Sequence, residues 1–112
     1  MAEHPQVYHL HVYFDDATEA QALHVRKLAM KRPEVMELGR LHERPVGPHP
    51  VRQFQILLKS DDVPGFSQWL EAVRGDLDVL IHPEIEDDLL AHTAEATWLG
   101  EAHDLKLDIF TP

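Results

Sequence analysis

The sequence of 112 residues predicts an α+β domain in which one antiparallel sheet carries two helices on one of its faces. Three observations predict this class. Segments with apolar residues at every second position alternate with helical segments, no apolar run is long enough to span a membrane, and no cysteine is present to staple a smaller fold. The composition, 44% apolar and 27% charged, is that of a globular protein. We expect one domain over residues 1–112.

The first strand is predicted over residues 7–14, where apolar and polar side chains alternate. Its expected core face consists of Tyr8, Leu10, Val12 and Phe14. His9 and His11 therefore lie side by side on the opposite face, because strand side chains repeat every two residues. A helix follows from about residue 17 to residue 31, with Asp15 and Asp16 as caps. Its apolar stripe, which is imperfect, consists of Ala20, Leu23, Leu28 and Met30.

The middle of the chain repeats this order. A strand is predicted over 35–42, a stiff loop with three prolines and a glycine over 43–50, and another strand over 53–59. A second helix is predicted over 63–73, capped by Ser60, Asp61 and Asp62 and ended by Gly75.

The last third predicts a short apolar strand over 78–82, a helix over 87–99 and an alternating strand over 104–110. The whole order matches the split βαβ, or ferredoxin-like, arrangement with a C-terminal helix and strand added. In that arrangement the first strand is central and antiparallel to the fourth. The end of the fourth strand, with His82, should therefore lie beside His9 and His11.

Nine histidines are present, and the most informative is the pair His9 and His11. Its Cα atoms are roughly 6.5–7 Å apart on one strand face, so both rings can reach one ion at about 2.0–2.1 Å. His82 is the expected third ligand, and Glu84, Asp87 and Asp88 are the nearest carboxylates. Nitrogen and oxygen ligands with open positions suit Fe(II) or catalytic zinc. By itself, a His-x-His pair is also compatible with an ordinary polar sheet face.

Two further histidines are candidate catalytic groups. His49 lies between Pro48 and Pro50, which hold its backbone, and the alternative is a surface turn. His92 follows Asp88 at helical spacing, which indicates either a carboxylate that orients its ring or a surface ion pair. The remaining histidines are expected to be solvated: His4, His24, His42 and His103. Trp69 and Trp98 are expected on helices.

Twenty acidic residues against ten basic residues give a formal net charge of −10, without a basic stripe. Such a field repels phosphate, so nucleic acid is not an expected partner. The N-terminus lacks the basic and apolar regions of a signal peptide, and we expect a cytoplasmic protein without a membrane partner.

Several segments in register resemble the DOPA 4,5-dioxygenase family of small extradiol ring-cleaving enzymes. They are Tyr8–Phe14, Gly47–Pro50, Leu80–Pro83, Asp87–Asp88, His92 and Trp98–Gly100. The resemblance covers the chain from about Val7 to Leu107. It implies a ferredoxin-like fold, a homodimer, and Fe(II)-dependent insertion of O₂ into a catechol such as L-DOPA beside its diol.

The family's histidines fall on His9, His11, His49, His82 and His92. We expect metal ligation by His9, His11 and His82, which strand geometry brings together, and substrate-binding or acid/base roles for His49 and His92. Zinc or another divalent ion is the alternative to iron.

Two other functions stay open at this point. A non-catalytic ferredoxin-like dimer could bind a small molecule or metal through its histidine-lined sheet face. A zinc hydrolase is disfavoured, because no helix places a general-base carboxylate beside the histidines. For an amino acid carboxylate, Arg40, Arg44 and Arg52 near the proline loop are the available cations.

Overall fold

The computed structural model describes residues 5–110. Its strands are β1 (Val7–Phe14), β2 (Glu37–Leu38), β3 (Arg52–Lys59), β4 (Val79–Pro83) and β5 (Thr97–Leu99). Its helices are α1 (Glu19–Ala29), α2 (Val63–Val73) and α3 (Asp88–Ala91), with 3-10 turns at Ser60–Asp62 and Leu107–Phe110. None of these helices is long and apolar enough to cross a membrane.

The five strands form one sheet in the order β2-β3-β1-β4-β5, and every neighbouring pair is antiparallel. The first four strands have the ferredoxin-like order, which confirms the predicted fold class. β1 is central, and its register with β4 sets His9 directly opposite His82 and His11 opposite Leu80. His9, His11 and His82 therefore share one face of the sheet, as the topology predicts.

The other face of the sheet packs against α1 and α2 and forms the hydrophobic core. Its fully buried strand residues are Leu10, Val12, Phe54, Ile56, Leu58 and Val79. Phe66 and Leu70 of α2 cover them. Each such side chain removed from water contributes about 1.5–3 kcal/mol, which makes this layer a stable base for the histidine face.

The buried face of α1 differs from the predicted stripe. Ala22, Val25 and Ala29 are fully buried, whereas Leu23 and Met30 are exposed. The small side chains allow α1 to approach the sheet closely, so residue size and not hydrophobicity alone decides which face is buried. The predicted caps Asp15 and Asp16 do not cap the helix: its N-cap is Thr18, without a side-chain cap hydrogen bond, and Asp15 instead accepts from the Thr18 N–H in the preceding turn.

α2 spans the predicted residues 63–73. Pro64 suits its first turn, and Gly75 ends it with a positive φ of 58°. The predicted caps do not act as such, because the segment Ser60–Asp62 forms a 3-10 turn that makes no side-chain cap bond.

The C-terminal third departs from prediction in two elements. The predicted helix over 87–99 is only the single turn α3, and Thr97–Leu99 is a strand that pairs with the open edge of β4. Threonine and an aromatic residue favour a strand when an edge is available, so Trp98 lies on β5 and not on a helix.

Residues 104–110 do not form the predicted strand. Lys106 donates its backbone N–H to the carbonyl of Pro48 at 2.8 Å, and a 3-10 turn follows over Leu107–Phe110. The predicted strand over 35–42 is likewise reduced to Glu37–Leu38. Period-two alternation indicates an extended chain with one covered side, but it does not show that a partner strand is present.

Candidate metal centre

Three imidazoles converge on the sheet face opposite the helices. His9, His11 and His82 each offer one ring nitrogen, and these three nitrogens lie within 4.8 Å of one another. Adjacent strands are about 4.8 Å apart, and residues two apart on a strand point the same way, so the register alone forces this convergence. The three-histidine cluster is thus a direct product of the β1–β4 pairing.

The hydrogen bonds of His82 and His11 leave two lone pairs facing each other. His82 Nδ1 donates to the carbonyl oxygen of Pro83 at 3.0 Å, and a carbonyl can only accept. His11 Nδ1 donates to Gln53 Oε1 at 2.9 Å. The two Nε2 atoms, which are 3.0 Å apart, therefore both carry lone pairs when the rings are neutral.

Burial disfavours a proton as the cation between these two atoms. His11 is 5% exposed and His82 is 6% exposed. Desolvation lowers the pKa of His82 to about 3 and lowers the pKa of His11 well below its usual value, and neighbouring imidazoles lower both further. Two neutral imidazoles with converging lone pairs are a ready binding site for a metal ion.

His9 has acceptors on both sides. Its Nδ1 lies 3.3 Å from Gln55 Oε1, and its Nε2 lies 3.0 Å from Glu84 Oε1. A neutral imidazole has only one N–H and cannot donate to both acceptors. If Nδ1 donates to Gln55, the Nε2 lone pair and the Glu84 carboxylate can both bind one cation. Glu84 is therefore the carboxylate nearest the cluster, whereas Asp87 caps α3 by accepting from the Leu90 N–H.

The donor set fits a first-row divalent metal. Two ligand nitrogens about 2.1 Å from one ion and at right angles to each other are about 3.0 Å apart, and His11 and His82 Nε2 have that spacing. Both rings are held by hydrogen bonds through Nδ1, the arrangement that orients histidine ligands in metalloproteins. Glu84 is within reach of the third ring.

His49 packs against one side of the cluster. Its ring centroid is 4.2 Å from that of His11, and the side chain is 4% exposed. A hydrogen bond of 2.7 Å joins its Nδ1 to the Tyr13 hydroxyl. Burial lowers its pKa to about 4, so the ring is neutral near pH 7.

His92 packs against the other side, with its ring centroid 4.0 Å from that of His82. Its Nδ1 donates to the backbone carbonyl of Asp88 at 2.7 Å, so Nε2 keeps a lone pair. The orienting partner is thus the Asp88 backbone and not the Asp88 carboxylate, and no ion pair forms between the two side chains. All five of the histidines that the sequence singled out lie in one contiguous group.

The profile described as the Dopa 4,5-dioxygenase family matches residues 8–109. This chain belongs to that family. Two curated relatives are similar to it: an uncharacterized 21.2 kDa protein of Botryotinia fuckeliana, 35% identical over 89% of this chain, and a DOPA 4,5-dioxygenase of Amanita muscaria, 31% identical over 89% of this chain. The chain spans 61% and 47% of their lengths.

A crystal structure of a candidate dioxygenase from Nostoc punctiforme PCC 73102 is also similar. It superposes with a TM-score of 0.88 at 36% identity, over 93% of this chain and 90% of that chain. The Dopa 4,5-dioxygenase family and its ferredoxin-like fold thus extend over nearly the whole described chain.

A second polar group, centred on His103, lies beside the histidine cluster and was not expected from the sequence. His103 was expected to be solvated, but its Nε2 hydrogen-bonds to Asp78 Oδ2 at 2.8 Å, and its ring packs on Tyr13 at 4.9 Å and Trp98 at 5.7 Å between centroids. Tyr13 in turn contacts His49. Tyr13 and Asp78 are distant from His103 in sequence, so no local pattern indicates these contacts, which depend on the fold of residues 100–110. His24 is exposed, as expected, and His4 lies outside the described residues.

Residues 100–110 cross the histidine face and help to enclose a cavity. Asp78 accepts from the Glu101 N–H and contacts His103, Lys106 N–H donates to the Pro48 carbonyl, and Phe110 packs on His92. Beneath this segment is a cavity of about 230 Å³. Its lining residues are His92, Trp98, His103, Asp104, Leu105 and Leu107.

The arginines near the proline loop divide into two kinds. Arg52 forms ion pairs with Asp16 and Glu19 and is therefore engaged. Arg40 and Arg44 line a separate cavity of about 460 Å³ together with His42, Glu43 and Val46. That cavity shares no residue with the three-histidine cluster.

Proposed function

We propose that this protein is a non-haem Fe(II)-dependent extradiol dioxygenase that cleaves the ring of a catechol with O₂. One observation supports this most strongly. Two buried, neutral imidazoles direct lone pairs at each other across 3.0 Å in a member of the Dopa 4,5-dioxygenase family. With both Nδ1 atoms donating, the two lone pairs repel each other, and a cation between the rings would remove that repulsion.

His9, His11 and His82 are the proposed ligands. Gln53 and the Pro83 carbonyl accept from Nδ1 of His11 and His82 and so leave Nε2 of these two rings free to bind the metal. His9 would offer Nε2, which also faces Glu84. A ferrous ion held by three protein ligands would supply open positions at which the catechol oxygens and O₂ meet. Zinc fits the same nitrogens, and iron is proposed because the reaction consumes O₂.

The flanking histidines are proposed to handle the catechol protons. His92 offers an Nε2 lone pair because its Nδ1 is committed to a backbone carbonyl, so it can accept a proton from the diol. His49 is held by Tyr13, and burial keeps it neutral near pH 7. Its position on the opposite side of the cluster suits contact with the second hydroxyl. The overall reaction inserts both oxygen atoms of O₂ and breaks the ring bond beside the diol.

Oxygen uptake tests this proposal. The protein is loaded anaerobically with Fe(II) and mixed with L-DOPA, catechol or caffeate in air-saturated buffer. We expect one O₂ consumed per ring opened and a new yellow chromophore, with both lost in His11→Ala. Metal-dependent melting without oxygen uptake from any catechol would contradict catalysis and favour the non-catalytic binding module.

A further inference from the structure

The cavity beneath residues 100–107 adjoins the proposed reaction centre. His92, the proposed base, lines it, and His92 stacks on the proposed ligand His82. A catechol whose oxygens lie near the three-histidine cluster would therefore extend a ring substituent into this cavity. Its walls should decide which substituents are accepted.

One wall is a fixed aromatic surface. Trp98 lies nearly parallel to His103, with an interplanar angle of 21°, and meets Tyr13 edge-on at 5.5 Å between centroids. The hydrogen bond from His103 to Asp78 holds the stack in place. A cation within about 6 Å of an indole face is stabilised by the ring quadrupole.

The charges around the cavity are negative or balanced. Its lining contains neither lysine nor arginine, and it includes the exposed carboxylate of Asp104. Any positive charge on His103 is offset by Asp78, with which it pairs. The chain's formal net charge of −10 also favours approach of a cation.

We propose that this cavity is a subsite for the primary ammonium group of a catechol side chain, held between the Trp98 ring and the Asp104 carboxylate. The assignment rests on the proposed dioxygenase function. Leu105 and Leu107 also line the cavity and would contact the carbon chain that carries the ammonium. A carboxylate substituent would instead suit the cavity of Arg40 and Arg44, which shares no residue with the cluster.

Anaerobic titration of the Fe(II)-loaded protein tests the subsite without turnover. The probes are dopamine, L-DOPA, 3-(3,4-dihydroxyphenyl)propionate and 4-methylcatechol. We expect dopamine to bind roughly tenfold more tightly than 4-methylcatechol, and we expect L-DOPA also to bind more tightly than 4-methylcatechol. Asp104→Asn should remove most of the dopamine advantage and leave 4-methylcatechol unchanged. Asp61→Asn, which deletes an equal charge from the distant and exposed Asp61, should change neither.

Two outcomes would overturn the assignment. The first is that 3-(3,4-dihydroxyphenyl)propionate binds most tightly of the four probes, which would place its carboxylate in the cavity of Arg40 and Arg44. The second is an equal decrease in dopamine affinity in Asp104→Asn and Asp61→Asn, which would mean that the preference comes from the net charge of the protein and not from this cavity. A second titration separates this test from the dioxygenase proposal. The affinities of phenethylamine and 2-phenylethanol for the metal-free protein are compared by following the Trp98 indole NMR signal. Neither probe has a diol, so a preference for the amine persists even if no catechol is oxidised, and its absence counts against the subsite.

Discussion

At the scale of single residues, the hydrogen bonds behind the histidines matter as much as the histidines themselves. Gln53 and the Pro83 carbonyl each take the Nδ1 proton of one ring and so direct its Nε2 into the cluster. The sequence predicted which histidines converge, because strand register follows from element order. It could not predict Gln53, since a glutamine on a strand carries no signal of the partner across the sheet.

Gln53→Ala should weaken metal binding by about 10–100-fold, because the His11 ring loses the acceptor that fixes its tautomer and orientation. Fe(II) titration of the anaerobic protein measures this. Gln21→Ala is the matched control, since Gln21 bonds to the Val73 carbonyl on the helix side of the molecule. Equal metal affinity in Gln53→Ala and Gln21→Ala would show that Gln53 does not orient a ligand.

Stability of the metal-free protein should fall as the pH falls below about 6.5. The unfolded chain then takes up protons, whereas folded His49 stays neutral to about pH 4 and His82 to about pH 3. His49 alone accounts for a loss on the order of 3 kcal/mol between pH 6.5 and pH 4, of which about 2 kcal/mol falls above pH 5, and almost none of it is lost above pH 6.5. Urea unfolding between pH 7 and pH 5 with a chelator present measures the slope.

His49→Gln should reduce this slope, because glutamine can keep the Tyr13 contact and does not titrate, whereas His11 and His82 still contribute. His24→Gln, a change at an exposed position of α1, should leave the slope as it is in the wild type. A slope in His49→Gln as steep as that of the wild type would mean that burial of His49 does not set the pH dependence.

At the scale of elements, prediction succeeded where a segment's own pattern decides its structure and failed where a neighbour decides it. α2 and the long strands β1 and β3 carry their period and their stops in their own residues. β5 exists because β4 offers an open edge, and residues 101–106 are held by Asp78 and by the proline loop before the chain turns at Leu107–Phe110. These partners are distant in sequence, so local periodicity does not reveal them.

Gly100→Ala should release the segment that covers the cavity. Gly100 has a φ of 78°, and a Cβ there would collide with Asp78 Oδ1 and approach Arg74 Nη1 to 2.9 Å. We expect a loss of stability of about 1–3 kcal/mol and faster hydrogen exchange in residues 101–107. Gly65→Ala in α2 is the control, since a Cβ there meets nothing within 4 Å. It should be neutral or stabilising by up to about 1 kcal/mol. Equal behaviour of the two variants would mean that the backbone conformation of Gly100 does not hold residues 101–107 in place.

At the scale of the whole molecule, the fold places a packed core on one side of the sheet and a buried polar cluster on the other. The family resemblance also predicts a homodimer. Sedimentation equilibrium should therefore give twice the 12.9 kDa of one chain at micromolar concentration. A mass of one chain throughout that range would contradict this.

The central claim is that the β1–β4 pairing builds a three-histidine metal site. Anaerobic Fe(II) titration with metal analysis tests it directly. We expect one tightly bound ion per chain in the wild type and in His24→Ala. We expect no tightly bound ion in His82→Ala, whose far-ultraviolet circular dichroism should stay that of the folded protein. Equally tight, stoichiometric binding in folded His82→Ala would contradict the account.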